Sequence, residues 1–282
     1  MPVGYERPAS LEDATRLLAA GGWQVLAGGT DLYPAHVGRP LRRPLLDIGG
    51  IASLRGIRRT AMGWSVGAAT TWTDVLRADL PPLFDALKQA AREVGGVQVQ
   101  NAGTVAGNLC NASSAADGTP VLMALDAVVV LRGAAGERRV AAVDFVLGSR
   151  RTACTPSELV VAIEVPARSD GARSVFIKLG GRRYLTISMT MVAVVVDIDG
   201  AGRIAHAAAA VGSCSAKAQR LPALEQRLLG ATFAGDLGAL VQPSDLAQLT
   251  PIDDLRGSAA YRLDATATLL RRALASLPPT AP

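Results

Sequence analysis

Apolar residues recur at two different periods along the chain. After Ser10, with Asp13 at the capping-box position, Leu11, Ala14, Leu17 and Leu18 share one face, which predicts a helix from Ser10 to Ala20 ended by Gly21-Gly22. Leu83, Leu87, Ala90, Ala91 and Val94 have the same spacing and predict a helix from Pro82 to Val94, closed by Gly95-Gly96. Short apolar runs predict strands at Trp23–Ala27, Leu45–Ile48, Trp64–Ala68, Ala127–Leu131, Arg139–Val143 and Leu159–Val165, the last stopped by Pro166. Thr73 or Asp74 is placed to cap a helix running through Leu80, and Pro120 is placed to open another.

Beyond a change of composition at Ala167–Ala172, strands are expected at Val175–Leu179, Thr190–Ile198 and Arg203–Val211. The last two are joined by a turn through Asp199–Gly202. Helices at Leu221–Leu229, Phe233–Leu240 and Ser258–Leu277 close the chain. Runs of strands followed by runs of helices predict an α+β architecture, with no internal repeat.

Composition narrows the class. The chain has 282 residues, 49% apolar and 19% charged, which fits a globular protein of two domains rather than a disordered or fibrous one. The longest apolar run, Met189–Val196, is far short of the roughly 20 residues of a spanning helix and reads as a buried strand. The N-terminus from Met1 to Pro8 has no apolar signal core, so a cytoplasmic location is expected and no membrane span. A net charge of +5 with scattered arginine pairs gives no nucleic-acid patch. Cys110, Cys154 and Cys214 lack metal-ligand spacing, and His36 and His206 stand apart from any partner, so no metal site is expected.

Two segments carry chemistry. Val25-Leu26-Ala27-Gly28-Gly29-Thr30-Asp31-Leu32 places two glycines and a hydroxyl directly after a strand, where successive N–H groups can converge on an anion. It is neither a Walker loop nor the G-x-G-x-x-G dinucleotide fingerprint. From Gly95 to Pro120 the chain is small, polar and almost uncharged, as suits backbone packed on a polar, anionic ligand. Within it Gly103-Thr104-Val105-Ala106-Gly107-Asn108 offers N–H groups and a hydroxyl to phosphate, and Asp117 offers a carboxylate to ribose hydroxyls. Either segment taken alone also fits an ordinary structural turn. Together they favour a large phosphate-bearing ligand, and no hydrolase constellation stands beside them.

These residues resemble a known family. Ala27–Leu32, the run from Gln98 to Ser113, Asp117 and Pro120 are similar to the FAD-binding subunit of molybdenum hydroxylases, the group of xanthine and carbon monoxide dehydrogenases. Val66–Thr71, Glu158–Pro166, Lys178 with Gly181-Arg182-Arg183, and Arg256–Arg262 follow in family order, so the resemblance covers nearly the whole chain. Ala106, Ser114 and Trp72 depart from the family pattern, which more often has glycine, proline and histidine there.

The resemblance implies a vanillyl-alcohol-oxidase-type (PCMH) FAD-binding domain over residues 1–171, in subdomains of about 1–55 and 56–171. A C-terminal antiparallel sheet with helices, of the carbon monoxide dehydrogenase flavoprotein type, would fill 172–282. Val25, Leu26, Ala27, Gly28, Gly29, Thr30, Asp31 and Leu32 would bind the FAD pyrophosphate, with Thr104, Gly107 and Asn108 as a second phosphate loop. Asp117 would hold a ribose-side hydroxyl, Val161 and Lys178 would lie by the isoalloxazine, and Ala69, Thr70, Gly95 and Gly103 complete the implied site. A lysine there would stabilise the anionic reduced flavin, whereas on its residue type alone Lys178 also fits a solvated strand position. The implied role is electron transfer from a [2Fe-2S] small subunit through FAD to an external acceptor, beside a molybdopterin large subunit in a dimer of heterotrimers. A self-sufficient flavin reductase or oxidase, and an FAD-free structural subunit, are the rival readings.

Overall fold

The computed structural model describes residues 4–277; the N-terminal reading at Met1–Val3 and the last five residues of the expected C-terminal domain lie outside the described residues. The chain begins with strand β1 (Tyr5–Glu6), helix α1 (Leu11–Ala20), strand β2 (Gln24–Leu26), a one-turn helix α2 (Leu32–Ala35) and strand β3 (Leu45–Asp47). These strands form a parallel sheet in the order β1-β3-β2. Helix α1 is capped as expected, Ser10 accepting from the Asp13 N–H at 3.1 Å.

Next come β4 (Ile57–Thr60), β5 (Gly63–Gly67), α3 (Trp72–Arg77), α4 (Asp85–Glu93), α5 (Val97–Ala102), α6 (Val105–Asn111) and α7 (Gly118–Ala124). They are followed by β6 (Val128–Gly133), β7 (Gly136–Ala141), α8 (Ala142–Phe145), a small hairpin β8 (Val146–Gly148) and β9 (Arg151–Thr152), and β10 (Leu159–Pro166). A five-stranded antiparallel sheet, β4-β5-β10-β6-β7, results.

The remainder builds a second antiparallel sheet from β11 (Arg173–Gly180), β12 (Ser188–Ile198), β13 (Ile204–Gly212) and β14 (Gln219–Arg220), with helices α9 (Pro222–Leu228) and α10 (Ala259–Ala275). Mixed helices and sheets of this kind agree with the expected α+β class. No helix among the described residues is long and apolar enough to cross a membrane.

Packing explains the unbroken apolar run in β12. Met191, Ala193 and Val195 enter the core shared with α4 and α7, whereas Val192, Val194 and Val196 enter the core under α10. Both faces of this antiparallel sheet are therefore dry, and no polar alternation survives. Its edge is also covered: Ser174 donates to the Leu83 carbonyl at 2.7 Å and accepts from the Ala86 N–H at 2.9 Å, while Gln89 accepts from the Phe176 N–H at 2.6 Å. Helix α4 thereby satisfies polar groups that an exposed edge strand would leave open.

Several local expectations differ from the structure for identifiable reasons. Thr71, not Thr73 or Asp74, caps α3; Asp74 is its reciprocal partner in the capping box, and the helix ends at Arg77. The span Pro82–Val94 divides into a 3-10 turn over Pro82–Phe84 and α4. The segment from Gly95 to Pro120, expected to be mostly loop, folds into α5 and α6, because Thr104 caps α6 and Val105, Ala106 and Leu109 anchor it in the core. Helix α7 opens at Gly118, two residues before Pro120. Phe233–Leu240 forms only a 3-10 turn at Leu237–Leu240, where Asp236 caps the Ala239 N–H. Strand β7 starts at Gly136 and gives way to α8 at Ala142, short of the expected Val143.

Candidate functional site

The turn after β2 and the start of α6 come into direct backbone contact. A Cβ on Gly28 would stand 1.9 Å from the Ala102 carbonyl oxygen and 2.9 Å from the Gly103 Cα, so no side chain fits between the two segments. Gly29 follows with φ +70°, in the left-handed region, and a Cβ there would meet the Tyr33 ring at 2.4 Å. The N–H groups of Gly29, Thr30 and Asp31 donate to no oxygen among the described residues. Successive free N–H groups in such a turn form a concave anion site.

The second segment is held from behind. Thr71 and Thr104 form an antiparallel bridge, the Trp72 N–H donates to the Gly103 carbonyl at 3.1 Å, and the Val105 N–H donates to the Thr70 carbonyl at 3.0 Å. Thr104 caps α6 by accepting from the Gly107 N–H at 2.9 Å. The Trp72 side chain is fully buried, lines the cavity between the turns and lies against Gly103 and Gly118, its ring 3.6 and 2.7 Å from where their Cβ atoms would stand. Ala106, the alanine that departs from the family pattern, is buried and lines the same wall.

Between the turns and β10 opens a cavity of about 780 Å³. That lies high in the roughly 300–1,000 Å³ range of ligand sites and suits a dinucleotide-sized molecule. Val25, Leu26, Ala27, Gly28, Gly29, Thr30, Asp31 and Leu32 line one side, and Gly95, Gly103, Thr104, Gly107, Asn108 and Asp117 line the other. Ala69, Thr70, Val161 and Lys178 do not line it. Thr70 is buried behind the wall and donates to the Gly56 carbonyl, and the Val161 carbonyl accepts from the N–H of Ala68, which does line the cavity. Asn108 is half-buried, and its buried Oδ1 has no partner among the described residues. A large cavity, free N–H donors and an orphaned amide are features that FAD would complete, so the residues present fit the cofactor.

The far end of the cavity is ionic. Asp117 is only 7% exposed; its Oδ2 accepts from Lys178 Nζ at 2.7 Å and its Oδ1 from Ser188 Oγ at 2.8 Å. Burial pushes the carboxyl up from its ordinary range, against the pull of the Lys178 ammonium. Lys178 also reaches the carbonyls of Glu93 and Thr186 at 3.4 Å. It is thus a buried, paired lysine rather than a solvated one. Each Asp117 oxygen keeps a lone pair for a further donor from the cavity.

Sequence reasoning missed other parts of the wall. Glu93, Cys110, Cys154, Glu158, Thr186 and Ile187 line the cavity, brought from four separate stretches of chain by topology. Burial pushes the thiol of half-buried Cys154 up to about 11, which makes it a poor nucleophile, whereas Cys110 is exposed. Glu93 was the findable one, since it ends α4 just before the Gly95-Gly96 turn. His36 also lines the cavity, with Nδ1 at 2.8 Å from the Leu32 carbonyl. No group of residues that could hold a metal occurs among the described residues.

Comparison with known proteins gives the same picture. Residues 1–168 match the family described as "FAD binding domain in molybdopterin dehydrogenase", and residues 176–277 match "CO dehydrogenase flavoprotein C-terminal domain". The chain is 33% identical over 272 residues to the glyceraldehyde dehydrogenase medium chain of Sulfolobus acidocaldarius, covering 95% of this chain and 96% of that one. It is 31% identical over 278 residues to the carbon monoxide dehydrogenase medium chain of Hydrogenophaga pseudoflava, covering 96% and 95%. A chain of the reconstituted CO dehydrogenase from Oligotropha carboxidovorans superposes with a TM-score of 0.87 at 28% identity, covering 98% of this chain and 97% of that one. With both halves of the chain matched and the glycine turns meeting across one cavity, the protein belongs to the family of FAD-binding subunits of molybdenum hydroxylases, which are oxidoreductases.

Proposed function

We propose that FAD lies in the main cavity with its pyrophosphate against Val25–Leu32 and the capped start of α6 at Thr104, Gly107 and Asn108. Its flavin end would point toward Asp117 and Lys178, with Ala69, Thr70 and Val161 supporting the wall from behind. The observation that carries this reading is the backbone contact at Gly28, which joins two turns rich in N–H donors where nothing larger than glycine fits. When bound, FAD supplies reversible two-electron chemistry, and the chain's own residues bind it, orient it and tune it. Lys178 would place a buried cation beside the reduced, anionic form, held in position by Asp117.

In this reading the protein passes electrons from a [2Fe-2S] small subunit through FAD to an external acceptor, beside a molybdopterin large subunit in a dimer of heterotrimers. The names of the relatives support a multi-subunit setting, since several are medium chains. Residues 1–171 form the cofactor domain, with the parallel sheet in its first subdomain (about 1–55) and the five-stranded sheet in its second (56–171); residues 172–282 form the C-terminal domain. Three free thiols suit the reducing cytoplasm. The test is reconstitution of the purified chain with FAD, followed by an absorbance spectrum. Stoichiometric flavin bands are expected, and a chain that takes up no flavin overturns the reading. Co-purification with iron–sulfur and molybdopterin chains tests the electron-transfer role; turnover by the lone chain would point instead to a self-sufficient oxidase.

A further inference from the structure

Beside the main cavity lies a second one of about 500 Å³, and Glu93 and Thr186 line both. Lys178 lines the second cavity but not the main one. Its ammonium is already matched, with Asp117 Oδ2 at 2.7 Å and Glu93 Oε2 at 4.0 Å. Arg92, Arg182 and Arg183 converge on the same wall, and none of them makes an ion pair with a carboxylate among the described residues. Arg182 donates to the carbonyls of Tyr184 and Leu185, and Arg183 donates to the Tyr184 hydroxyl, which folds the rim of the cavity but leaves the positive charge unmatched. Glu93 is the lone carboxylate among the lining residues and is turned toward Lys178, so three arginines face the cavity without a carboxylate partner.

Solvated arginines normally spread over a convex surface. These three are exposed yet converge on one concave site, whose walls also include Phe176, Ile177 and Leu179. Planar guanidinium forks suit phosphate or carboxylate groups through paired hydrogen bonds. We propose that this second cavity binds the anionic group, phosphate or carboxylate, of a small-molecule electron acceptor, held by Arg92 and Arg183 within reach of the flavin end of the main cavity. That the ligand is the acceptor rests on the function proposed above; the anion subsite does not.

The test titrates the full-length chain, reconstituted with FAD, with pyrophosphate and separately with citrate, in wild type and in an Arg92→Ala/Arg183→Ala double variant. Binding of one of the two anions is expected, weakened at least about tenfold in the double variant, with flavin absorbance per chain unchanged. The stronger of the two probes identifies the phosphate-bearing or carboxylate-bearing class. No saturable binding of either anion, or equal affinity in wild type and double variant, overturns the subsite. If the chain takes up no FAD yet its anion affinity still falls in the double variant, the cofactor reading fails and the subsite stands. Retained FAD with unaltered anion affinity gives the reverse.

Discussion

At Gly28 the size limit is set by main chain, not by a movable side chain, because the obstructing atom is the Ala102 carbonyl oxygen. Gly29 adds a conformational limit through its φ of +70°. Gly29→Asp therefore combines strain with a carboxylate placed where a phosphate would sit, and near-complete loss of bound FAD is expected from the flavin absorbance of the purified variant. Asp117→Ala should lower flavin content less severely, since it leaves Lys178 buried without its counter-ion but keeps the glycine turns intact; Asp117→Asn, which preserves the bond from Ser188, should lower it least of the three. Unchanged flavin content in all three would overturn the loop assignment. The glycine turns were legible because their chemistry lies in a few consecutive residues. Thr186 and Ile187 were not, because nothing local marks a hairpin as a cavity wall until the sheet brings it there.

Helices α5 and α6 show why an element can hide in a polar sequence. Each is under two full turns of strongly helix-forming residues, and what stabilises α6 is the Thr104 cap and three buried apolar side chains rather than propensity. Thr104→Ala should cost about 1 kcal/mol of stability in denaturant unfolding and raise the concentration of FAD needed for saturation, because the cap also positions the Gly107 N–H. The long helix α10 was legible as an element from the period of Tyr261, Leu263, Ala267, Leu270 and Leu274, but its buried face was legible only in part: Tyr261 is exposed, and Leu269, Leu270, Ala273 and Leu274, at most 5% exposed, share a core with Val192, Val194 and Val196 of β12. Leu270→Ala should destabilise the chain by about 2–5 kcal/mol, read from the same unfolding curves, while flavin stoichiometry at low temperature stays that of wild type. Helix α10 also supplies Arg262, which is 3% exposed, donates to the Met189 and Ser213 carbonyls and pairs with Asp254 at 2.7 Å. That accounts for part of the Arg256–Arg262 motif as structural.

Across the whole molecule the two antiparallel sheets are tied together by charge. Asp126, just after α7, accepts from Arg220 Nη1 at 2.7 Å, pairs with Arg168 at 2.5 Å and lies 3.0 Å from His206 Nε2. Burial alone would push this carboxyl up, but His206 beside it and the hydrogen bond from Arg220 hold it down at about 2. A carboxyl whose folded value is depressed contributes stability above its unfolded value near 4, and that contribution is lost as pH falls from about 4 toward 2. Roughly 2 kcal/mol of stability should therefore disappear over that interval in wild type, and the loss should be smaller in Asp126→Asn, as measured by thermal melts at stepped pH. Equal pH dependence in both proteins would sink the assignment. The Asp117–Lys178 pair also joins the two halves of the molecule, across 61 positions of sequence. Ribosomes deliver those halves in order: the glycine turns and Asp117 emerge first, and the counter-ion of Asp117 arrives only with β11, just ahead of Thr186 and Ile187, which line the cavity. A nascent chain that ends before β11 therefore has an incomplete cavity wall and an unpaired Asp117.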